Sequence, residues 1–251
     1  MTKSVALVIG ASRGLGFSLA IELAKLGYHV VCVARTVGGL EELDDKIIKE
    51  NGTATLAPLD INNSEALKNL CYNIFKRWGK IDILVHSAIF AAPLSPVEHI
   101  DKEDLNKSLS TNILATQEII SMTNPLLSRS KKPTAVFFSD RQSSDKFFGS
   151  YSSTKDAQYR LAQAWKKEND NKLLNVLILE PKPMSTSTRA RFHPGENKNQ
   201  LTTPSEEAKR LIKKLSKLPL LSFFLVRILR GLNDKSNWSS RHFKINSKAI
   251  N

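Results

Sequence analysis

Cysteine is scarce in this chain. Cys32 and Cys71 are the two in 251 residues, which excludes a disulfide framework. Cys32 lies in the apolar run Val30-Val31-Cys32-Val33, where a buried, inert thiol is expected. The five histidines (29, 86, 99, 193 and 242) are scattered and neither cysteine has a partner at metal-ligand spacing, so no metal site is expected. Met1 leads within a few residues into Val5-Ala-Leu-Val-Ile9 and then directly into glycines. That opening does not read as a signal peptide, and a reducing, cytoplasmic compartment is the expectation. No repeat, low-complexity tract or linker interrupts the chain, so one domain is expected over 1–251, with a basic, apolar-rich C-terminal segment at about 203–251.

Acidic residues are what the last quarter lacks. The chain carries 37 basic and 24 acidic side chains, a formal +13. Residues 1–181 hold 22 basic and 20 acidic, whereas 182–251 hold 15 and 4. Such a segment attracts a phosphate-bearing cofactor, an anionic membrane or nucleic acid, and the plain reading is a solvated helix face. No nucleic-acid module or basic-aromatic interleaving is present, so no nucleic-acid partner is expected. Thr203-Pro-Ser-Glu opens a basic helix running to about Lys217, with Thr203 as N-cap and Pro204 at its first position. Residues 218–232 hold ten Leu, Phe, Val or Ile in fifteen, with Arg227 and Arg230. This stretch is too short and too charged to span a membrane. It reads as a peripheral membrane contact, a lid or a subunit contact, or simply as a helix packed on the body or a partner subunit.

What is present is regular alternation. Val5–Ile9 is a short apolar run, as expected of a buried parallel strand. It enters Gly10-Ala-Ser-Arg-Gly14-Leu-Gly16, then a helix with Leu15, Leu19, Leu23 and Leu26 on one face, then a second strand over Val30–Val33. Strand, glycine turn, helix and strand form the first unit of a dinucleotide-binding fold. Further strands are expected at Thr53–Leu59, Ile81–Val85, Ala135–Phe138 and Leu174–Leu179, with a last edge strand at His242–Ile245. Helices are expected at about 39–50, 64–78, 102–129 and 151–169, the third carrying Asn112 as one long helix with Pro125 as a kink or terminus. The fold class is therefore α/β, a doubly wound Rossmann fold with a parallel sheet of about seven strands and helices on both faces. Ser12, Arg13, Arg35, Asp60, Ser87, Ser139 and Pro181 sit at strand ends, where such sheets bind ligands.

Tyr151-Ser-Ser-Thr-Lys155 opens the helix after the fifth strand. Four-residue spacing puts phenol and ammonium on one helix face. A nearby cation favours the phenolate and draws its pKa of about 10 toward neutrality, which suits proton exchange with a substrate oxygen.

The Gly10/Gly14/Gly16 turn, the element after the fourth strand, Asn112 and Tyr151/Lys155 occur in the order and spacing of the short-chain dehydrogenase/reductase family, which the chain resembles over about residues 3–190. The resemblance implies an oxidoreductase with Tyr151 as general acid/base, Lys155 lowering its pKa and binding the nicotinamide ribose, and Asn112 holding a water in a relay to Lys155. It implies a cofactor site of Gly10, Ser12, Arg13, Gly14, Leu15, Gly16, Arg35, Asp60, Ile61, Ser87, Ala88, Tyr151, Lys155, Pro181 and Thr186, and a homodimer or homotetramer acting on a small carbonyl or alcohol. Ala34-Arg35 ends the second strand without a carboxylate, and Arg13 stands in the glycine turn. Two guanidinium groups there favour a 2′-phosphate, hence NADP over NAD. Three positions depart from the family. Ile89 replaces a glycine after the fourth strand, Lys182 replaces one after the sixth, and the catalytic serine falls on Ser139 or gives way to Asp140, with Ser139 preferred. An ionised aspartate there would oppose a forming oxyanion. The alternative is a catalytically impaired NADP-binding protein acting through partner or membrane-surface contacts.

Overall fold

Short apolar runs rich in β-branched residues form the strands. A computed structural model describes residues 3–140 and 145–216. β1 (Val5–Ile9) and β2 (His29–Ala34) are buried along their whole length, as strands covered by helices on both faces must be. With β3 (Thr53–Pro58), β4 (Ile83–His86), β5 (Thr134–Phe138) and β6 (Asn175–Leu179) they make one parallel sheet in the order β3-β2-β1-β4-β5-β6. Six strands stand where about seven were expected. The seventh candidate, His242–Ile245, lies outside the described residues, as does 218–232.

The helices are α1 (Gly14–Lys25), α2 (Val37–Lys49), α3 (Ser64–Trp78), α4 (Lys102–Leu109), α5 (Ala115–Leu127), α6 (Gly149–Glu168), α7 (Ser187–Phe192) and α8 (Pro204–Ser216). Their ends follow the local chemistry. Asn63 accepts from the Ala66 amide to start α3, and Gly79 at φ 74° ends it, a conformation glycine adopts without strain. Thr203 and Glu206 exchange hydrogen bonds at the start of α8, a capping box that bears out the N-cap read from sequence. Side chains of one sheet face, among them Leu7, Val33 and Phe137, pack with Leu67, Ile119 and Trp165 from the helices that cover it to form the main core.

The long helix expected over 102–129 runs unbroken from Lys102 to Leu127 but is not α-helical throughout. Between α4 and α5 the chain widens into a π turn at Ser110–Leu114, which turns Asn112 fully into the interior. There Asn112 bonds to the main chain of Phe90 and to Thr154. Pro125 lies in the last turn of α5, which ends two residues later at Leu127. By contacts the chain divides into Met1–Ile212 and Lys213–Asn251. The site described below belongs to the first unit.

Candidate active site

The sheet order reverses between β1 and β4, and a cleft of about 470 Å³ opens beyond their carboxyl ends, the usual ligand position in such folds. Its floor is the turn from β1 into α1. Gly10 has φ +88°, and a Cβ there would stand 2.6 Å from the Ala88 nitrogen. A Cβ on Gly16 would run into the Gly10 carbonyl and Ser87 Oγ. Ser87 in turn donates to the Ile9 carbonyl at 2.8 Å. The missing side chains thus let three backbone segments close on one another and leave the N-terminus of α1, with no acidic residue in its first turn, facing the cleft. That is the cradle a pyrophosphate requires.

Every cofactor-site residue expected from sequence lines this one cleft, from Gly10 through Arg13, Arg35, Asp60 and Ile61 to Ser87, Ala88, Tyr151, Lys155, Pro181 and Thr186. Arg35 lies 3.7 Å from Asp60, both well exposed, a pair worth little that leaves the guanidinium available to an anion. Asp60 Oδ1 accepts from the Asn62 amide and side chain, both at 3.0 Å, so part of its carboxylate shapes the loop after β3. Thr186 caps α7 by accepting from the Arg189 amide, and its methyl faces Gly14.

At the other end α6 delivers Tyr151 and Lys155, both buried. The phenol donates to Asp140 Oδ2 at 2.9 Å. Ser139, in contrast, points its hydroxyl toward the Leu179 carbonyl at 3.5 Å. The carboxylate at 140 is therefore the group that meets the tyrosine, and it changes the electrostatics expected of the pair. Burial, then the Asp140 charge and hydrogen bond, push the Tyr151 phenol well above its ordinary value. Burial lowers Lys155 to about 8, partly offset by Asp140.

Asn112 does not line the cleft. Its side chain accepts from the Phe90 amide at 2.8 Å and donates to the Phe90 carbonyl at 2.9 Å and Thr154 at 3.0 Å. It ties the chain after β4 to the π turn and α6. Its main-chain carbonyl accepts from Thr116. Ile89, at the glycine position, packs with Ala91, Phe148, Tyr151 and Phe192. Tyr151 and Phe192 rings lie 4.9 Å apart, and Phe148 and Phe192 5.0 Å, giving the tyrosine end an aromatic wall. The Lys182 backbone amide donates to Glu207 Oε1 at 2.9 Å, a tie to α8 that a glycine here would make as well. Phe148, Phe192 and the Lys155 partner Gln158 were not found from sequence, although Gln158 lies three residues past Lys155 on the same helix face.

The family model for short chain dehydrogenase matches residues 4–197. The Helicobacter pylori protein named "Probable short-chain type dehydrogenase/reductase VdlC" is 26% identical over 78% of this chain and 71% of its own length. A short chain dehydrogenase structure from Salmonella enterica serovar Typhi superposes with a TM-score of 0.76, at 25% identity over 82% of this chain and 86% of that one. An alcohol dehydrogenase from the archaeon Thermococcus sibiricus, complexed with 5-hydroxy-NADP, superposes with a TM-score of 0.75, at 25% identity over 86% and 92% of the two chains.

Proposed function

The chain belongs to the short-chain dehydrogenase/reductase family, and from that premise we propose an NADP-dependent oxidoreductase that moves hydride between nicotinamide and a carbonyl or alcohol carbon. The carrying observation is that a glycine cradle and a buried Tyr151/Lys155 pair face one cleft. When bound, NADP supplies the hydride chemistry at its nicotinamide ring. The residues then divide the work. Backbone amides from Ser12 to Gly16 hold the pyrophosphate. Arg13 and Arg35 receive the 2′-phosphate, as guanidinium groups suit, and the archaeal neighbour's 5-hydroxy-NADP supports that choice. Asp60 and Ile61 border the adenine, while Ser87, Ala88, Pro181 and Thr186 border the nicotinamide. Lys155 binds the ribose, and Tyr151 exchanges the proton at Oη. The aromatic wall of Phe148 and Phe192 suits a substrate with an apolar body.

A second reading draws on the Tyr151–Asp140 bond: an NADP-binding protein with turnover impaired. A cytoplasmic setting and a homodimer or homotetramer complete the proposal. NADPH oxidation with a panel of aldehydes and ketones tests it. Turnover is expected to fall about 100-fold or more in Tyr151→Phe, and Arg35→Ala is expected to weaken NADPH binding but not NADH binding. Unchanged turnover in Tyr151→Phe overturns the proton role. NADPH binding without turnover across the panel supports the second reading.

A further inference from the structure

Lys155 ends in a buried polar bridge that the proton-transfer pair alone does not require. Its Nζ donates to Gln158 Oε1 at 2.6 Å. Gln158 Nε2 donates to Thr116 Oγ1 at 3.0 Å, and Thr116 donates to the main-chain carbonyl of Asn112 at 2.8 Å. His86 Nε2 lies 2.9 Å from Thr116 Oγ1 and 3.3 Å from Gln158 Nε2.

Counting protons orients Thr116 and Gln158. Thr116 has one hydroxyl proton and spends it on Asn112, so its oxygen accepts from Gln158. His86 Nε2 sits beside both, donating to Thr116 or accepting from Gln158 according to its tautomer. Its Nδ1 is buried without a hydrogen-bond partner. The Gln158 amide cannot flip. Turned round, its oxygen would face a threonine oxygen with no proton left, and its NH₂ would face an ammonium. All four side chains are buried.

We propose that Gln158, locked by Thr116, is a positioning residue that holds the Lys155 ammonium at the cleft through a side-chain bridge to the Asn112 carbonyl. Its effect on turnover rests on the oxidoreductase reading; the bridge itself does not. The groups facing Lys155 are Asp140 beyond β5, the imidazole of His86 on β4, which burial holds neutral at about 3, the phenol of Tyr151, and the uncharged Asn112, Thr116 and Thr154. Against burial, Asp140 and Gln158 are the two that favour the charged amine.

The test follows Lys155 directly, by ¹³C NMR titration of its Cε in the cofactor-free protein, with Lys155→Arg identifying the signal. Gln158→Leu keeps the bulk and removes the acceptor. It is expected to lower the Lys155 midpoint from about 8 by about one unit, a tenfold change in acidity constant. Gln158→Glu is expected to raise it, and Thr116→Val, which frees the amide to turn, to lower it by less than Gln158→Leu. Where turnover is measured, the pH profile of kcat moves with the midpoint. An unmoved midpoint in Gln158→Leu or Gln158→Glu overturns the proposal, as does movement of both in one direction. If Gln158→Leu does not fold, the sign in Gln158→Glu decides alone. Absence of NADPH turnover in the unaltered protein would count against the enzyme reading and leave this titration fully readable.

Discussion

Asp140 gives the Tyr151 proton a resting place. Its carboxylate accepts from Oη at 2.9 Å, which stabilises the neutral phenol and opposes negative charge on a substrate oxygen nearby. A serine in this place would donate to that oxygen instead. Replacing Asp140 by Asn removes the charge and keeps the shape. NADPH-dependent carbonyl reduction by Asp140→Asn is expected to rise at least about tenfold, the equivalent of roughly 1.4 kcal/mol in barrier. Steady-state rates on the same carbonyl panel check this, and a fall in rate would mean that the carboxylate takes part in the reaction. Legibility at this scale varied with how rigidly the sequence fixes a position. Tyr151 and Lys155 share a helix face by spacing alone. Ser139 and Asp140 occupy the link from β5 to α6, whose length no periodicity sets, so spacing alone does not choose between them. Gln158 lies on the readable face of α6, but a glutamine carries no chemistry that marks it.

Among the elements, two helix-associated glycines make opposite claims. Gly16 has no room for a methyl group, which would meet Gly10 and Ser87. Gly38, exposed in α2, has no atom within 4 Å of its Cβ direction. Gly16→Ala is therefore expected to abolish NADPH binding, read by fluorescence titration, and to lower the melting temperature. Gly38→Ala is expected to stabilise by roughly 0.5–1 kcal/mol through helix propensity, read by urea unfolding, with cofactor affinity unchanged. Strands were legible to within about two residues because the buried runs are continuous and bounded by turn residues. The π turn was not, because residues 102–129 read as helix throughout. Its cause is the set of hydrogen bonds Asn112 makes to Phe90, a contact across 22 residues that local pattern does not carry.

For the molecule as a whole, buried titratable groups set the response to acid. Burial holds His86 at about 3 and His29 at about 4, against an ordinary 6.5. Their folded values are depressed, so the unfolded chain takes up protons that the folded one refuses. Stability is then full above about pH 6.5 and falls as pH drops toward 3. For fully buried His86 the slope approaches about 1.4 kcal/mol per pH unit within that window. Lys155, lowered to about 8, adds stability only as pH rises from 8 toward its ordinary 10.5. Urea midpoints measured at pH 5 and 7 are expected to differ clearly, and His86→Gln is expected to narrow the gap. An equal gap in that variant would place the acid sensitivity elsewhere. The overall architecture was the most legible feature, since alternating strands and helices leave few parallel topologies. That same topology decides how firmly each side of the cleft is held. Opening the cleft by spreading its two walls would tear the β1–β4 ladder, where Ala6, Leu7, Val8 and Ile9 pair with Ile83, Leu84, Val85 and His86, all dry. The opposite rim is α7, which buries none of its residues, reaches across to the Ala91 carbonyl through Arg191 and packs Phe192 on Tyr151. One side of the cleft is thus held by backbone pairing and the other by side-chain contacts alone.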